Sequence, residues 1–422
     1  MNHRDSTLQR ISEMLVLTNL TLIDGTGREP VQNATIIIEG NRVKHAGARI
    51  DYPAEAKVID IHNYTIMPGL IDCHLHLGGM TVDKPGQAIG KVSVTDMVSF
   101  TLDYLRNYSH RRRLSIENGV TTIRSAGDLY PHIVKLRDKI ATGKLKGPRI
   151  FAPGPTITAP GGHPASTIYK RNRYIAENAI RQIDSADIAR DEVKKLVEGG
   201  VDCIKAIYSD INPMDISHRV PRLSLKVMEA LADEAHRHNR KVMVHTGSAD
   251  EVMDSLKAGA DSIEHGILPS GYPIKFNNEI IKLMLDRGIY FVPTVAIAWA
   301  YKEIYPDFFS NVKTLIKKLC DAGVPIAAGT DSGTPGVVIG KGLHKEMELL
   351  VEAGLSPMEA IIAGTKSAAE NIGEGNELGT IEKEKLADMI VVSKNPLEDI
   401  KNTKNIKMVI KDGLIVVNKL AD

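Results

Sequence analysis

Apolar and polar positions alternate in two distant parts of the chain. Near the start, "MLVLTNLTLID", "NATIIIEGNRVKHAG" and "AKVIDIHNYTIMPG" show the two-residue period of half-buried strands, with "EGN" as a hairpin-type turn. Near the end, "ADMIVVS" and "IKMVIKDGLIVVN" repeat that texture, with "KDG" at the turn. Similar strands at both ends of a chain predict one small composite sheet domain, formed by residues 13–67 together with 376–422. Residues 1–12 are polar and are expected to be loosely ordered.

Between these ends, over 68–375, the period changes. The phrases "ENGVTTIRSAG", "EGGVDCIKAIYS", "KAGADSIEHG", "DRGIYFVPTV" and "DAGVPIAAGTDS" each pass from a charged helix end through a glycine into a short apolar strand. Those glycines, Gly119, Gly200, Gly259, Gly288 and Gly323, suit the left-handed residue that closes a helix. "GLIDCHLH", "PRIFAPGPT" and "KVMVHTG" complete a set of eight strands, mostly separated by helix-length segments such as 222–239 and 249–258. Eight strand–helix units predict an α/β fold, a parallel (β/α)8 TIM barrel beside the small β-sandwich domain. An open doubly wound sheet is the alternative; it lacks a G-x-G-x-x-G turn after the first strand.

Composition narrows the function. At 43% hydrophobic and 25% charged residues, the chain reads as an ordinary soluble globular protein. A formal net charge of +1 gives no broad electrostatic case for nucleic acid or an anionic membrane. The basic run His110-Arg111-Arg112-Arg113 is expected on a solvated helix face. Three widely spaced cysteines and no C-x-x-C pair point to a reducing compartment. The apolar "MLVL" is too short for a signal peptide or membrane span, so the cytoplasm is the expected location.

Parallel barrels place their chemistry at the C-terminal ends of the strands. There the sequence offers His74 and His76 on strand 1, Lys205 on strand 4, His245 on strand 5, His265 on strand 6 and Asp331 on strand 8. Residues i and i+2 of a strand face the same side, so His74 and His76 are expected to converge on the barrel mouth, with Cys73 and Leu75 facing the helices. Such nitrogen and carboxylate donors suit zinc or a similar divalent metal. Lys205 is the exception, because an ammonium has no lone pair to give. It is a structural lysine paired with a carboxylate, a Schiff-base lysine, or a lysine modified to present oxygens.

Taken in order, "GLIDCHLH", "CIKAIYS", "KVMVHT", "SIEHG" and "AAGTDSG" resemble the amidohydrolase superfamily, in its imidazolonepropionase-related and prolidase-like branch. The resemblance covers nearly the whole chain. It implies two divalent metal ions, zinc first with manganese, iron or cobalt as alternatives, bridged by a carbamylated Lys205. His74, His76 and Asp331 would hold one ion; His245 and His265 would hold the other. It implies hydrolysis of an amide or peptide-like C–N bond by a hydroxide shared between the metals, with Asp331 as general base and then acid. The expected substrate is a small amide, dipeptide or N-acyl amino acid; a cyclic amide or a lactone is the alternative. Deamination is disfavoured, because His245 is followed by "TGSAD" and Lys205 is present. A scaffold protein that had lost its chemistry would also have lost ligands, and all six positions are occupied. The reading is compatible with a homo-oligomer.

Two further residues are expected to contact substrate. His163 lies on "TITAPGGHPAS" after strand 3, and Tyr208 follows Lys205 by three residues. The segment 290–309 carries seven of the chain's nineteen aromatic residues, among them Trp299, and either walls the pocket or packs on the neighbouring helix. His344 is not expected to be a ligand. One inconsistency stands: laying "DEVKKLVEGGVDCIK" on "DEVMDSLKAGADSIE" pairs Lys205 with Glu264 rather than His265. Glu264 is therefore read as a helix-side or supporting residue.

Overall fold

The structure, a computed structural model, describes residues 14–79, 98, 102, 106–170, 172–269 and 276–420. The expectation for residues 1–12 lies outside them.

The two alternating ends do pair. Strands β1 (Met14–Leu22), β2 (Val31–Glu39), β3 (Arg42–Gly47), β4 (Lys57–Asp60) and β5 (Thr65–Pro68) come from the first part of the chain. Nine further strands, β6 to β14, follow in the middle. Strands β15 (Met389–Val392), β16 (Ile406–Lys411) and β17 (Leu414–Asn418) come from the last part and join the first five in one mixed sheet, ordered β17-β16-β15-β5-β1-β2-β3 with β4 beside β1. The joint is the antiparallel β15–β5 pair, which matches Met389 to Pro68 and Val391 to Ile66. Alternation decides which face is buried: Leu15, Leu17, Leu20, Ile36, Ile38, Ile66, Met389 and Val391 all point into one cluster. Each such side chain contributes about 1.5–3 kcal/mol over its exposed state.

The middle strands are parallel. They are β6 (Leu70–Leu75), β7 (Val120–Ser125), β8 (Arg149–Phe151), β9 (Thr156–Thr158), β10 (Ile180–Gln182), β11 (Cys203–Ile207), β12 (Lys241–His245), β13 (Ser262–Glu264) and β14 (Tyr290–Val292). They fall in two sheets, β6-β7-β8 and β10-β9-β11-β12-β13-β14. The third expected strand is thus split into β8 and β9, and β10 was not foreseen. The eighth expected strand, 325–332, is not a regular strand. Its backbone still bonds both sheets: Ala327 N–H donates to Phe291 O, Cys73 N–H to Ala328 O and His76 N–H to Ser332 O. Gly329 explains the close approach, since a Cβ there would sit 2.8 Å from the His74 Cβ.

Helices follow the strands as the pattern predicts, including Leu225–Arg237 and Ala249–Ala258. All five helix-closing glycines are left-handed, with φ between 63° and 104°. One apolar core joins the inner strands to the helices. No helix among the described residues is long and apolar enough to cross a membrane.

The basic run needs correction. On the helix Tyr108–Glu117, Arg113 lies near Glu117 at the surface, but Arg112 is buried and donates to Lys146 O. Arg111 turns inward to Leu77 O and Gly78 O. Loop carbonyls next to the helix accept from both guanidiniums, although Arg112 Nε is left without a partner among the described residues, so half the run is structural.

Candidate metal centre

His74 sits near the end of β6 and His76 just beyond it, as the i, i+2 spacing required. Their Nε2 atoms lie 3.7 and 3.3 Å from Asp331 Oδ1. Donor atoms of these three residues all fall within 4.8 Å of one another. The His74 side chain is 1% exposed, whereas His76 is 27% and Asp331 14%, so the group opens to solvent on the His76–Asp331 side. Cys73 faces the other way, against Ala368 of the helix Lys366–Ile372.

His265 continues the cluster. Its ring centroid is 4.8 Å from that of His74 and 4.5 Å from that of His245, which ends β12. The inconsistency seen in the sequence is resolved here. Neighbouring strand residues normally face opposite sides. His265 has φ +65°, however, and Gly266 N–H turns back to Glu264 O at 2.8 Å. This kink lets Glu264 and His265 both serve the interior. Asp331 is held in the same left-handed region, at φ +55°. Each such residue costs about 1–2 kcal/mol.

Backbone and side-chain partners fix how the imidazoles are presented. His74 Nδ1 is 2.6 Å from Glu264 Oε2, His76 Nδ1 is 3.1 Å from Gly127 O, and His265 Nδ1 is 2.7 Å from Thr294 Oγ1. In each ring Nε2 is left for the site. Burial, with Lys205 and neighbouring histidines adding to it, holds His74 and His245 well below the usual histidine range, in the neutral form that can ligate. Burial likewise lowers His265 to about 4.

Lys205, on β11, is 2% exposed, and its Nζ has no hydrogen-bond partner among the described residues. Burial pulls the ammonium down to about 8 against the opposing fields of Glu264 and Asp331. His245 Nε2 is likewise buried without a partner, and Asp331 Oδ1 is buried with only the His74 and His76 Nε2 atoms facing it. A buried polar atom left without a partner costs about 1–3 kcal/mol. Such atoms beside two ligand-type imidazoles fit bound cations: His74, His76, His245, His265 and Asp331 supply nitrogen and oxygen donors directly. Lys205 fits only if its nitrogen is modified to carry oxygens.

His163 lies against this cluster, its ring 5.5 Å from His245 and its Nδ1 2.7 Å from Thr167 Oγ1. Burial lowers it to about 3. Tyr208 has protein partners of its own. Its hydroxyl is committed to Asp254 Oδ2 at 3.1 Å, and Arg222 stacks over its ring at 4.6 Å. It follows the end of β11, where the chain has left the strand, so its side chain runs toward the helix Ala249–Ala258 rather than along Lys205. The aromatic segment divides its work. Phe291 and Phe308 are core, Trp299 carries Lys302 and Lys345 against its ring, and Tyr301 has its phenol raised by burial and by Asp331.

Several residues of the centre gave little sign of themselves in the sequence. Asp128 accepts the N–H groups of Leu77 and Gly78 and the Ser125 hydroxyl, holding the chain just after His76. Asp72 accepts the Thr330 N–H and hydroxyl beside Asp331. Glu346 accepts the N–H groups of Val295 and Ala296, next to Thr294. Arg124 pairs with Glu264 at 2.8 Å. The displaced repeat that matched Lys205 to Glu264 was the one usable signal for this layer.

Comparison with known proteins agrees with this geometry. Residues 65–416 match the family model described as the amidohydrolase family. Ochratoxinase of Aspergillus niger is 27% identical over 429 aligned positions, covering 90% of this chain and 81% of that one. Imidazolonepropionase of Geobacillus thermodenitrificans is 25% identical, covering 96% and 92%. A crystal structure of a Xaa-Pro dipeptidase with methionine bound in its active site superposes with a TM-score of 0.80 at 29% identity, covering 96% of this chain and 99% of that one. With residues 65–416, most of its length, matched by one family model, the chain belongs to the amidohydrolase family.

Proposed function

We propose that this protein hydrolyses an amide-type C–N bond in a small molecule, a dipeptide or an N-acyl amino acid, using two divalent cations. One observation carries the reading: Lys205 Nζ and His245 Nε2 are buried without partners among the described residues, while Asp331 Oδ1 faces the Nε2 atoms of His74 and His76 at 3.7 and 3.3 Å. His74, His76 and Asp331 would hold one cation and His245 and His265 the other, with a carbamylated Lys205 between them. Zinc is the first candidate, with manganese, iron and cobalt alternatives. Cations bound there would supply Lewis acidity, acidifying a water and polarising the scissile carbonyl.

The remaining work belongs to the chain. Asp331 takes the proton of the attacking water and passes it to the departing nitrogen, as general base and then acid. Its place on the open side of the cluster, beside the part-exposed His76, supports that role. His163 spends Nδ1 on Thr167 and so has Nε2 for a substrate oxygen. Tyr301, whose phenol is raised by burial and by Asp331, is read as a wall of the pocket. The two parallel sheets are read as one eight-stranded barrel (68–375) beside the composite domain (13–67 with 376–422). Free Cys73, Cys203 and Cys320 suit the cytoplasm.

The test is a panel of dipeptides, N-acyl amino acids, hydantoins and lactones offered to zinc-loaded protein. Turnover of an acyclic amide supports the reading. Turnover of a hydantoin or lactone alone moves it to ring opening, and a protein that neither binds metal nor turns over any of them overturns it.

A further inference from the structure

We infer that the buried pair Glu264–Arg124 orients His74 as a ligand, and that the cation position shared by His74, His76 and Asp331 is in consequence the tighter of the two. The inference rests on the metal reading above and goes beyond it, because it ranks the positions and names what ranks them.

The pair is fully interior, with Glu264 0% and Arg124 2% exposed. Every oxygen of the carboxylate is used. Oε1 accepts from Arg124 Nη2 at 2.8 Å and from the Ser262 hydroxyl, and Oε2 faces His74 Nδ1 at 2.6 Å. Arg124 also donates through Nε to Cys73 O at 2.7 Å. One guanidinium therefore grips both the strand carrying His74 and the carboxylate that orients its ring. A carboxylate paired with a guanidinium is an acceptor, so the His74 proton sits on Nδ1 and the lone pair on Nε2.

The other rings are backed differently. His76 meets a backbone carbonyl and His265 a threonine hydroxyl. Of these three rings only His74 meets a carboxylate at Nδ1, the nitrogen turned away from the cation position, and a charge-assisted bond there makes the imidazole the better donor. A buried ion pair is a weak source of stability, because desolvation offsets much of its attraction. Its position behind one ligand is better explained by that ligand.

The experiment strips the full-length protein with a chelator and reloads it with zinc against a competing chelator, and with cobalt for its optical spectrum. The wild type should take two equivalents with distinct affinities. In Glu264→Gln the tighter equivalent should weaken about 10- to 100-fold, and the spectrum of the first cobalt equivalent should shift. Because Glu264→Gln strands the Arg124 charge, the double variant Arg124→Met with Glu264→Gln is read alongside it and should weaken the same equivalent. Variants that bind both equivalents within twofold of wild type, with an unchanged cobalt spectrum, overturn the inference while leaving the metal reading intact. A wild type that binds no metal removes both.

Discussion

The backbone N–H of Asp331 donates to the carbonyl of His74 at 2.7 Å, and Thr330 N–H donates to the same oxygen at 3.0 Å. The carboxylate of the irregular eighth segment is thus hung directly on His74 of the first strand. Its left-handed φ of 55° is held by the main chain rather than by its side chain.

Asp331→Asn should consequently fold as wild type does and keep most of its metal, since the backbone anchors survive. Its turnover should fall by about 10²–10⁴, the range of a general acid–base contribution. Metal analysis beside steady-state kinetics checks this; near-normal kcat would remove Asp331 from the proton path.

His163 stands outside the donor cluster but against His245. His163→Ala should therefore leave metal content unchanged while raising KM or lowering kcat. Unchanged kinetics would make it a residue that merely orders its loop through Thr167.

Glu346, fully buried on the helix Lys341–Glu352, accepts the N–H groups of Val295 (3.0 Å) and Ala296 (2.7 Å), at the start of the short helix Val295–Ala300. Glu346→Ala leaves both donors unpaired. Unfolding free energy should drop by about 1–3 kcal/mol, measured by urea titration. Because Tyr301 closes that helix, KM should rise as well. A variant as stable as wild type would show that water replaces the carboxylate.

His344 gives a pH prediction away from the metal centre. It is buried between Thr403 and the carbonyl of Asn118, and burial lowers it from 6.5 to about 4. A folded-state pKa below the unfolded one means that the unfolded chain takes up the proton first as pH falls. Its stabilising contribution is complete above pH 6.5 and is lost between 6.5 and 4, by about 3 kcal/mol in all. His344→Gln should remove that part of the slope, so wild type should lose more stability than the variant between pH 7 and pH 4. Parallel curves would contradict it.

The candidate ligand positions were legible because they depend on local rules. His74 and His76 follow from the two-residue period, and Lys205, His265 and Asp331 come in segments announced by the helix-closing Gly200, Gly259 and Gly323. The composite sheet was legible because alternation marks a buried face wherever its partner lies. What supports the ligands was not. Arg124 meets Glu264 across 140 residues, and Asp128 meets Leu77 across 51. Pairings at such separations leave no periodic trace. The turn of Tyr208 toward Asp254 and the inward Arg111 and Arg112 share that cause: where a side chain turns depends on which distant carbonyl or carboxylate waits for it. The offset between Glu264 and His265 was visible, yet only the positive φ of His265 shows how one strand end serves both layers.

The most direct measurement is anomalous diffraction at the zinc absorption edge, from crystals of protein purified without chelator. Two peaks should appear, one among His74, His76 and Asp331 and one between His245 and His265, with density continuing past Lys205 Nζ as a carbamate. No peak at either position, with Lys205 ending in a bare amine, would contradict the account.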